Sequence, residues 1–434
     1  MSGLSAGLLG VCVLLGLLVT GMPIGISLGL VGLAGLVLSL GFEPALIKAG
    51  VLIFATMSRY ELGTLPLFML MAHLCFAADA SRDFFDVAAR LFGHRRGGLA
   101  VASVAGCAGF GSINGSSLAT TATIGLVALP EMRRRGYSDA LATGAVAAGG
   151  TLGQMIPPSG ALIVFGIIAE QSIGTLFTAA IVPGITQMLS YFVVIGLLVR
   201  WRPRMAPLLP RASWAERRTA LWRMLDIGLL VVAVTGGIAM GWITPSEAAA
   251  VGAAGACLVC WRRGKLSFAS MQHALEDTLK TSGLIYLVII GALIFAAFIS
   301  ITGLTDVIGA TIKGLGFGPV ATMLLVAVFL LLVGSVLDGL ALMLLTTPIL
   351  LPLVQEMGLS PIWFGIFLVR AMEIGFVHPP IGMNLYVIQG VARDVPLGRI
   401  FKGVLPFLAA DLVHLVLLVV FPVLVMGLPR WLAQ

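Results

Sequence analysis

Residues 111–160 read GSINGSSLATTATIGLVALPEMRRRGYSDALATGAVAAGGTLGQMIPPSG. The stretch is apolar enough to lie in a bilayer, yet it is crowded with Gly, Ser and Thr and closes on Pro157-Pro158. A plain membrane-spanning helix has no use for that chemistry. A binding site at bilayer depth does, because helices must break there to present backbone groups to an ion or solute. Residues 334–382 form a partner stretch, GSVLDGLALMLLTTPILLPLVQEMGLSPIWFGIFLVRAMEIGFVHPPIG. Gly111-Ser112 aligns with Gly334-Ser335, Pro130 with Pro352, Gly136 with Gly358, and Pro157-Pro158 with Pro379-Pro380. Proline-interrupted apolar segments at matching places in two halves are the sequence mark of a transporter's substrate site.

The whole chain fits that reading. Of its 434 residues 59% are hydrophobic and only 10% charged, against about 25% charged in a soluble protein. The expected class is an all-α polytopic membrane protein with many spans of roughly 20 residues. The first apolar run, 5–20, is followed by others and has no convincing cleavage site, so it reads as a helix rather than a signal peptide. The net charge of +7 is spread in short clusters between apolar runs, which suits cytoplasmic loops and not nucleic-acid binding. Cys257 and Cys260 have C-x-x-C spacing, but no second pair or nearby His completes a metal site. No G-x-x-x-x-G-K-[ST], H-E-x-x-H or Ser-His-Asp arrangement points to ATP use or to an enzyme.

Taken in order, 5–20 and 24–41 read as the first two helices, 43–60 as an interfacial arm, and 64–79 as a third span. Residues 98–130 are apolar but hold GSINGSS at the centre, with basic clusters on both sides, and read as a re-entrant hairpin. Residues 138–170 cross as an interrupted helix and 173–199 cross back. The Arg-rich stretch 200–223 is a cytoplasmic linker between the halves. In the second half, 224–242 and 246–261 cross, 266–281 is an arm, 283–300 crosses, 316–352 is a hairpin, 361–390 an interrupted helix and 403–427 the last span. The turn after the first hairpin carries Arg133, Arg134 and Arg135, whereas the matching QEMGLSP has no Lys or Arg. By the positive-inside rule the hairpins enter from opposite sides. The domains are therefore an inverted repeat, 1–199 and 224–434, with both termini in the periplasm.

The first hairpin tip offers Gly111, Ser112, Asn114, Ser116, Ser117, Thr120 and Thr121, and the second Gly334, Ser335, Asp338, Thr346 and Thr347. Their hydroxyl and carbonyl oxygens suit a hard cation such as Na⁺, and their donors an anionic solute. Asp338 lies inside an apolar run, where a carboxylate faces a cavity or a cation, or else caps a helix. Proline removes an N–H and disfavours helix at the preceding residue. Carbonyls near Gly149, Thr151 and Ile156, and near Gly375 and His378, are therefore expected to lose their helical partners and to become Na⁺ ligands. Arg370 and Glu373 lie one turn apart, as a buried structural pair or with Arg370 meeting a substrate carboxylate.

At these residues the chain resembles the large membrane subunit of tripartite ATP-independent periplasmic (TRAP) transporters. The resemblance runs over nearly the full length, in GGLAVASVAGCAGFGSINGSSLATTATIG (97–125), PEMRRRGYS (130–138), GTLGQMIPPSG (150–160), TPSEAAAVGA (244–253), LDGLALMLLTTPILLP (337–352) and EIGFVHPPIGMNL (373–385). It implies a multi-pass protein of the bacterial inner membrane with an elevator mechanism, in which hairpins and interrupted helices form a transport domain moving on a scaffold. It implies Na⁺ as the coupling ion and an organic acid as solute, delivered by a periplasmic substrate-binding protein. A small four-helix membrane subunit is the further expected partner, as a separate polypeptide. The family's sites map onto the tip positions above and onto Met383 for Na⁺ and Asn384 for substrate. Two positions depart from the family pattern: His378 stands where Thr usually precedes the second proline pair, and Asn114 where Ser is more usual. A self-sufficient Na⁺- or H⁺-coupled carboxylate transporter is the alternative.

Overall fold

The computed structural model describes residues 3–314, 316–335, 337–379 and 381–432. Regular structure among them is helical throughout. The helices are α1 (Gly3–Val19), α2 (Ile24–Leu40), α3 (Phe42–Met57), α4 (Thr64–Ala77), α5 (Ala80–Phe92), α6 (Gly98–Asn114), α7 (Ser117–Arg134), α8 (Asp139–Met155), α9 (Gly160–Ile168) and α10 (Ile173–Trp201). There follow α11 (Trp214–Val231), which runs through a π turn into α12 (Gly237–Ala239), then α13 (Pro245–Arg262), α14 (Phe268–Thr302) and α15 (Leu304–Gly314). The chain closes with α16 (Pro319–Gly334), α17 (Gly339–Glu356), α18 (Pro361–Val377), α19 (Met383–Val391), α20 (Leu397–Val420) and α21 (Val423–Leu432). Six helices among the described residues are long and apolar enough to cross a membrane, and the bent pair α8 and α9 makes a seventh.

Local chemistry sets the boundaries. Ser213 and Glu216 form a reciprocal capping box that starts α11, and Thr244 with Glu247 does the same for α13, where Pro245 fills the first turn. This places the last ten residues of the 200–223 linker inside a helix. Residues 266–300, read as an arm and a separate span, are one 35-residue helix. No proline interrupts α14, and Gly283 alone does not break it. The run 403–427 is divided instead, because Pro422 turns the chain at Phe421.

Two ends of the bundle can be told apart by their charges. At one end Arg263 pairs with Asp83 and with Asp226 at 2.6 Å, joining α13, α5 and α11. Nearby Arg133 bridges Asp139 at 2.8 Å and Asp394 at 2.6 Å, and Asp394 is held below the usual carboxylate range by that contact. At the opposite end Arg59 reaches Glu170 and the carbonyl of Ile167. Helix α8 starts at the first end, beside Arg133 and Arg399. Helix α18 starts at the other: Trp363 donates to the Leu418 carbonyl near the end of α20, and Phe364 packs edge-on to Phe165 of α9.

Small residues bring backbones together where these helices cross, as membrane packing requires. A Cβ on Gly403 of α20 would overlap the Ala140 carbonyl of α8, and one on Gly144 would overlap the Gly403 carbonyl. Gly403→Leu is therefore expected to cost about 1–3 kcal/mol of stability. Gly398→Ala, which meets nothing within 4 Å, serves as the neutral control. Thermal unfolding of the two purified variants in detergent checks the difference.

Candidate functional site

Two consecutive prolines end α8 by removing the donors at 157 and 158. The residues four places earlier, Gly153 and Gln154, are the ones whose carbonyls lose their helical partners. The helix runs unbroken to Met155, so the carbonyls expected to be freed at Gly149 and Thr151 stay inside it. Ile156 lies in the break with extended backbone. In the second half Pro379 frees Gly375 by the same count, and His378 ends α18 with extended backbone. Pro380, the other half of that proline pair, lies outside the described residues.

The first hairpin closes on this break. Gly115 holds φ +64 at the tip, and a Cβ there would sit 2.9 Å from the Pro158 carbonyl. Only glycine meets both demands. Further down, Gly111 of α6 lies on Gly153 of α8, and Gly153 faces the Ser116 carbonyl. The second hairpin repeats the contact, with the Gly334 carbonyl 2.8 Å from where a Cβ of Gly375 would be. Ser116 caps α7 and Asp338 caps α17, its Oδ2 accepting from the Leu340 amide at 3.0 Å. The two caps are 222 residues apart in sequence.

Several expected residues have other engagements. Ser117 meets Asn384 at 2.9 Å, and the Asn384 amide also donates to the Ala147 carbonyl at 3.0 Å. The start of α19 is thereby pinned to the first hairpin. Ser112, Ser335 and Thr346 bond back to carbonyls of their own helices. Asn114 lines the tip with its amide at 3.4 Å from the Ser116 carbonyl. Thr121 and Thr347 hydroxyls, and His378 Nδ1, are buried without partners. Met383 opens α19.

A cavity of about 240 Å³ opens at the first tip. Asn114, Gly115, Ser116 and Gln154 give it a polar side, Leu340 of the second hairpin closes it, and Thr281 of α14 faces it. Gln154 was not anticipated. Its carboxamide oxygen is buried without a partner, and counting four residues back from Pro158 is the signal that points to it.

Arg370 and Thr151 lie away from this cavity, in a second polar cluster. Arg370 is fully buried between Glu373, at 2.8 Å, and Asp411 of α20. Tyr191 of α10 donates to Asp411 at 2.6 Å. Gln187 donates to Tyr191 at 3.1 Å and to Thr151 of α8 at 3.0 Å. Four helices are thus tied through one guanidinium, and the structural pairing of Arg370 with Glu373 is the geometry observed. Removing one partner strands a buried charge, which costs about 3–5 kcal/mol. Asp411→Ala should lose stability on that scale and Arg370→Lys should lose part of it, because an ammonium cannot fork to both carboxylates. Unfolding midpoints in detergent will show it.

Comparison with known proteins agrees with this architecture. Residues 11–424 match the family described as tripartite ATP-independent periplasmic transporter, DctM component. The chain is 36% identical over 93% of its length to the C4-dicarboxylate TRAP transporter large permease protein DctM of Pseudomonas aeruginosa, covering 94% of that protein. It is 31% identical over 96% of its length to the sialic acid TRAP transporter large permease protein SiaM of Vibrio cholerae, covering 96% of it. It is 32% identical over 96% of its length to the 2,3-diketo-L-gulonate TRAP transporter large permease protein YiaN of Escherichia coli, covering 97%. The chain belongs to the TRAP transporter large permease family, a family of multi-pass membrane transport proteins. Among solved structures, the YdaH transporter of Alcanivorax borkumensis aligns over 99% of this chain and 98% of its own, with TM-score 0.60 and 16% identity, a likeness of fold alone.

Proposed function

We propose that this chain carries an organic acid across the inner membrane, driven by Na⁺, through an elevator movement. The observation that carries the reading is the pairing of freed carbonyls with hairpin tips. Gly153 lies against Ser116 and Gly375 against Gly334, and Gln154 shares the tip cavity with Ser116. Carbonyl oxygens freed from helices at such tips are hard, uncharged ligands of the type a Na⁺ ion takes. Gly111, which packs on Gly153, and Ser112, Ile156, His378 and Met383 are the further proposed ligands. The tip cavity, with the Asn114 and Gln154 amides and the Ser116 hydroxyl, suits a small oxyanion. Asp338 has two roles open to it, cap and ion ligand, and the first does not exclude the second.

The two-fold arrangement is supported by element packing. Helix α2 packs on α14 and α13 on α4, each pair uniting an element of one half with one of the other. Helices α8 and α18 start from opposite ends of the bundle. We read hairpins α6–α7 and α16–α17 with the broken helices α8–α9 and α18–α19 as the moving part. Helices α1 to α4 and α11 to α14 then form the scaffold. TRAP large permeases work with a small membrane subunit and a periplasmic binding protein, and both are proposed as partners here.

In liposomes, the purified permease complex is expected to take up solute only with an inward Na⁺ gradient and its binding protein present. Full uptake without the binding protein would instead identify a self-sufficient transporter. Ser116→Ala and Asp338→Ala each remove a helix cap worth about 1 kcal/mol and should lower Na⁺-driven uptake about tenfold. Asp338→Ser restores the cap without the carboxylate. If Asp338 serves the ion, this variant stays defective and needs more Na⁺ for half-maximal uptake. Wild-type Na⁺ dependence in Asp338→Ser would limit Asp338 to capping.

A further inference from the structure

Helix α9 ends in a turn that its sequence does not favour. The Ala169 amide donates to the Phe165 carbonyl and the Gln171 amide to the Gly166 carbonyl, both at 2.8 Å. That closing pattern puts Glu170, between them, in the left-handed region with φ +52. Glycine is the usual residue at such a position. Among the described residues the other positive-φ positions are glycines, save Asp79, and a short Asp tolerates this conformation where a Glu does not. The backbone gains nothing from a glutamate here. What Glu170 adds is a carboxylate held out from the end of α9.

That carboxylate meets Arg59 at 2.6 Å. The same guanidinium donates to the Ile167 carbonyl at 3.0 Å, one of the last carbonyls of α9, where a helix end is short of donors. Arg59 belongs to the other body. It precedes the turn Tyr60–Gly63 between α3 and α4, and that turn is tied to the scaffold on two sides. Tyr286 of α14 donates to the Leu62 carbonyl at 2.8 Å, and the Thr64 hydroxyl meets that of Ser246 in α13 at 2.8 Å. Glu170 follows directly on α9, whose Phe165 packs against Phe364 of α18. Beside the pair a groove of about 720 Å³ opens, lined by Tyr60 and Thr244 as well as by Gln171 and Ser172. The two side chains are 36% and 72% exposed, so water screens them and the pair is weak. A weak, exposed contact suits a joint that is made and broken in every cycle.

We propose that Arg59 and Glu170 form a latch that holds α9 against the α3–α4 turn in the state seen here and opens when the transport body moves. The latch rests on the elevator movement proposed above. A body sliding past that turn leaves both the Glu170 carboxylate and the Ile167 carbonyl behind, so the latch favours one end state over the other.

The test uses the full chain in a background lacking the native cysteines, with spin labels on Leu126→Cys in α7 and Leu279→Cys in α14, both exposed. Double electron–electron resonance reads the distances between them. Wild type should show two distance populations. Arg59→Gln and Glu170→Gln should each shift their ratio about two- to fivefold in the same direction. Glu170→Gly, which relieves the turn but removes the carboxylate, should shift it the same way, and it reports even if another variant folds poorly. Arg59→Glu combined with Glu170→Arg should restore the ratio towards wild type. Glu61→Gln, at an exposed acid of the same turn, should leave it unchanged. Two populations with one ratio in all variants would overturn the latch and leave the elevator reading standing. A single distance in wild type and every variant, alongside Na⁺-driven uptake, would overturn the elevator reading and the latch with it.

Discussion

Inside a bilayer there is no water to take up a hydrogen bond that a helix gives away. Pro157 and Pro158 force α8 to give away two, and Pro379 forces α18 to give away at least one. The packing around α8 and α18 is shaped by these freed carbonyls. Hairpin tips are brought against them, and glycines let the backbones touch. With 17 residues, α6 is only about 25 Å long, less than the hydrocarbon thickness it would need to span. The tip lies beside the break, with Gly115 against the Pro158 carbonyl.

Much of this was legible in the sequence because the signals are local. Gly, Ser and Thr at 111–121 and the prolines at 157, 158 and 379 act on their own segments, and helix breaks fall at these residues. The repeat offset is equally local to read, and it aligns Ser116 with Asp338, which cap equivalent helices. Boundaries set by capping chemistry were less visible. The Ser213–Glu216 box starts α11 inside a stretch whose charge alone suggests a linker. The placement of freed carbonyls at Gly149 and Thr151 overlooked that a proline acts four residues upstream, on Gly153 and Gln154.

What the sequence could not display is long-range pairing. Arg370 pairs with Asp411, 41 residues on, and Tyr191 and Gln187 join from the other half of the chain. No periodicity brings those four together. A single hint existed, Asp411 standing alone in the apolar run 403–427. The cluster holds α8, α10, α18 and α20 as a unit, which gives the broken helices a rigid support on the side away from the tip cavity. Ser117 and Asn384 do the same job nearer the tip, fixing the second broken helix to the first hairpin.

The account stands on two copies of one broken unit entering the membrane from opposite faces. Site-directed thiol labelling in a background lacking the native cysteines tests it, with single cysteines at Arg134 and at Met357 and a membrane-impermeant reagent applied to intact cells and to inverted vesicles. The account predicts that the two positions label from opposite sides, Met357→Cys in cells and Arg134→Cys in inverted vesicles. Labelling of both from the same side would contradict the inverted arrangement and remove the paired ion cradle that depends on it.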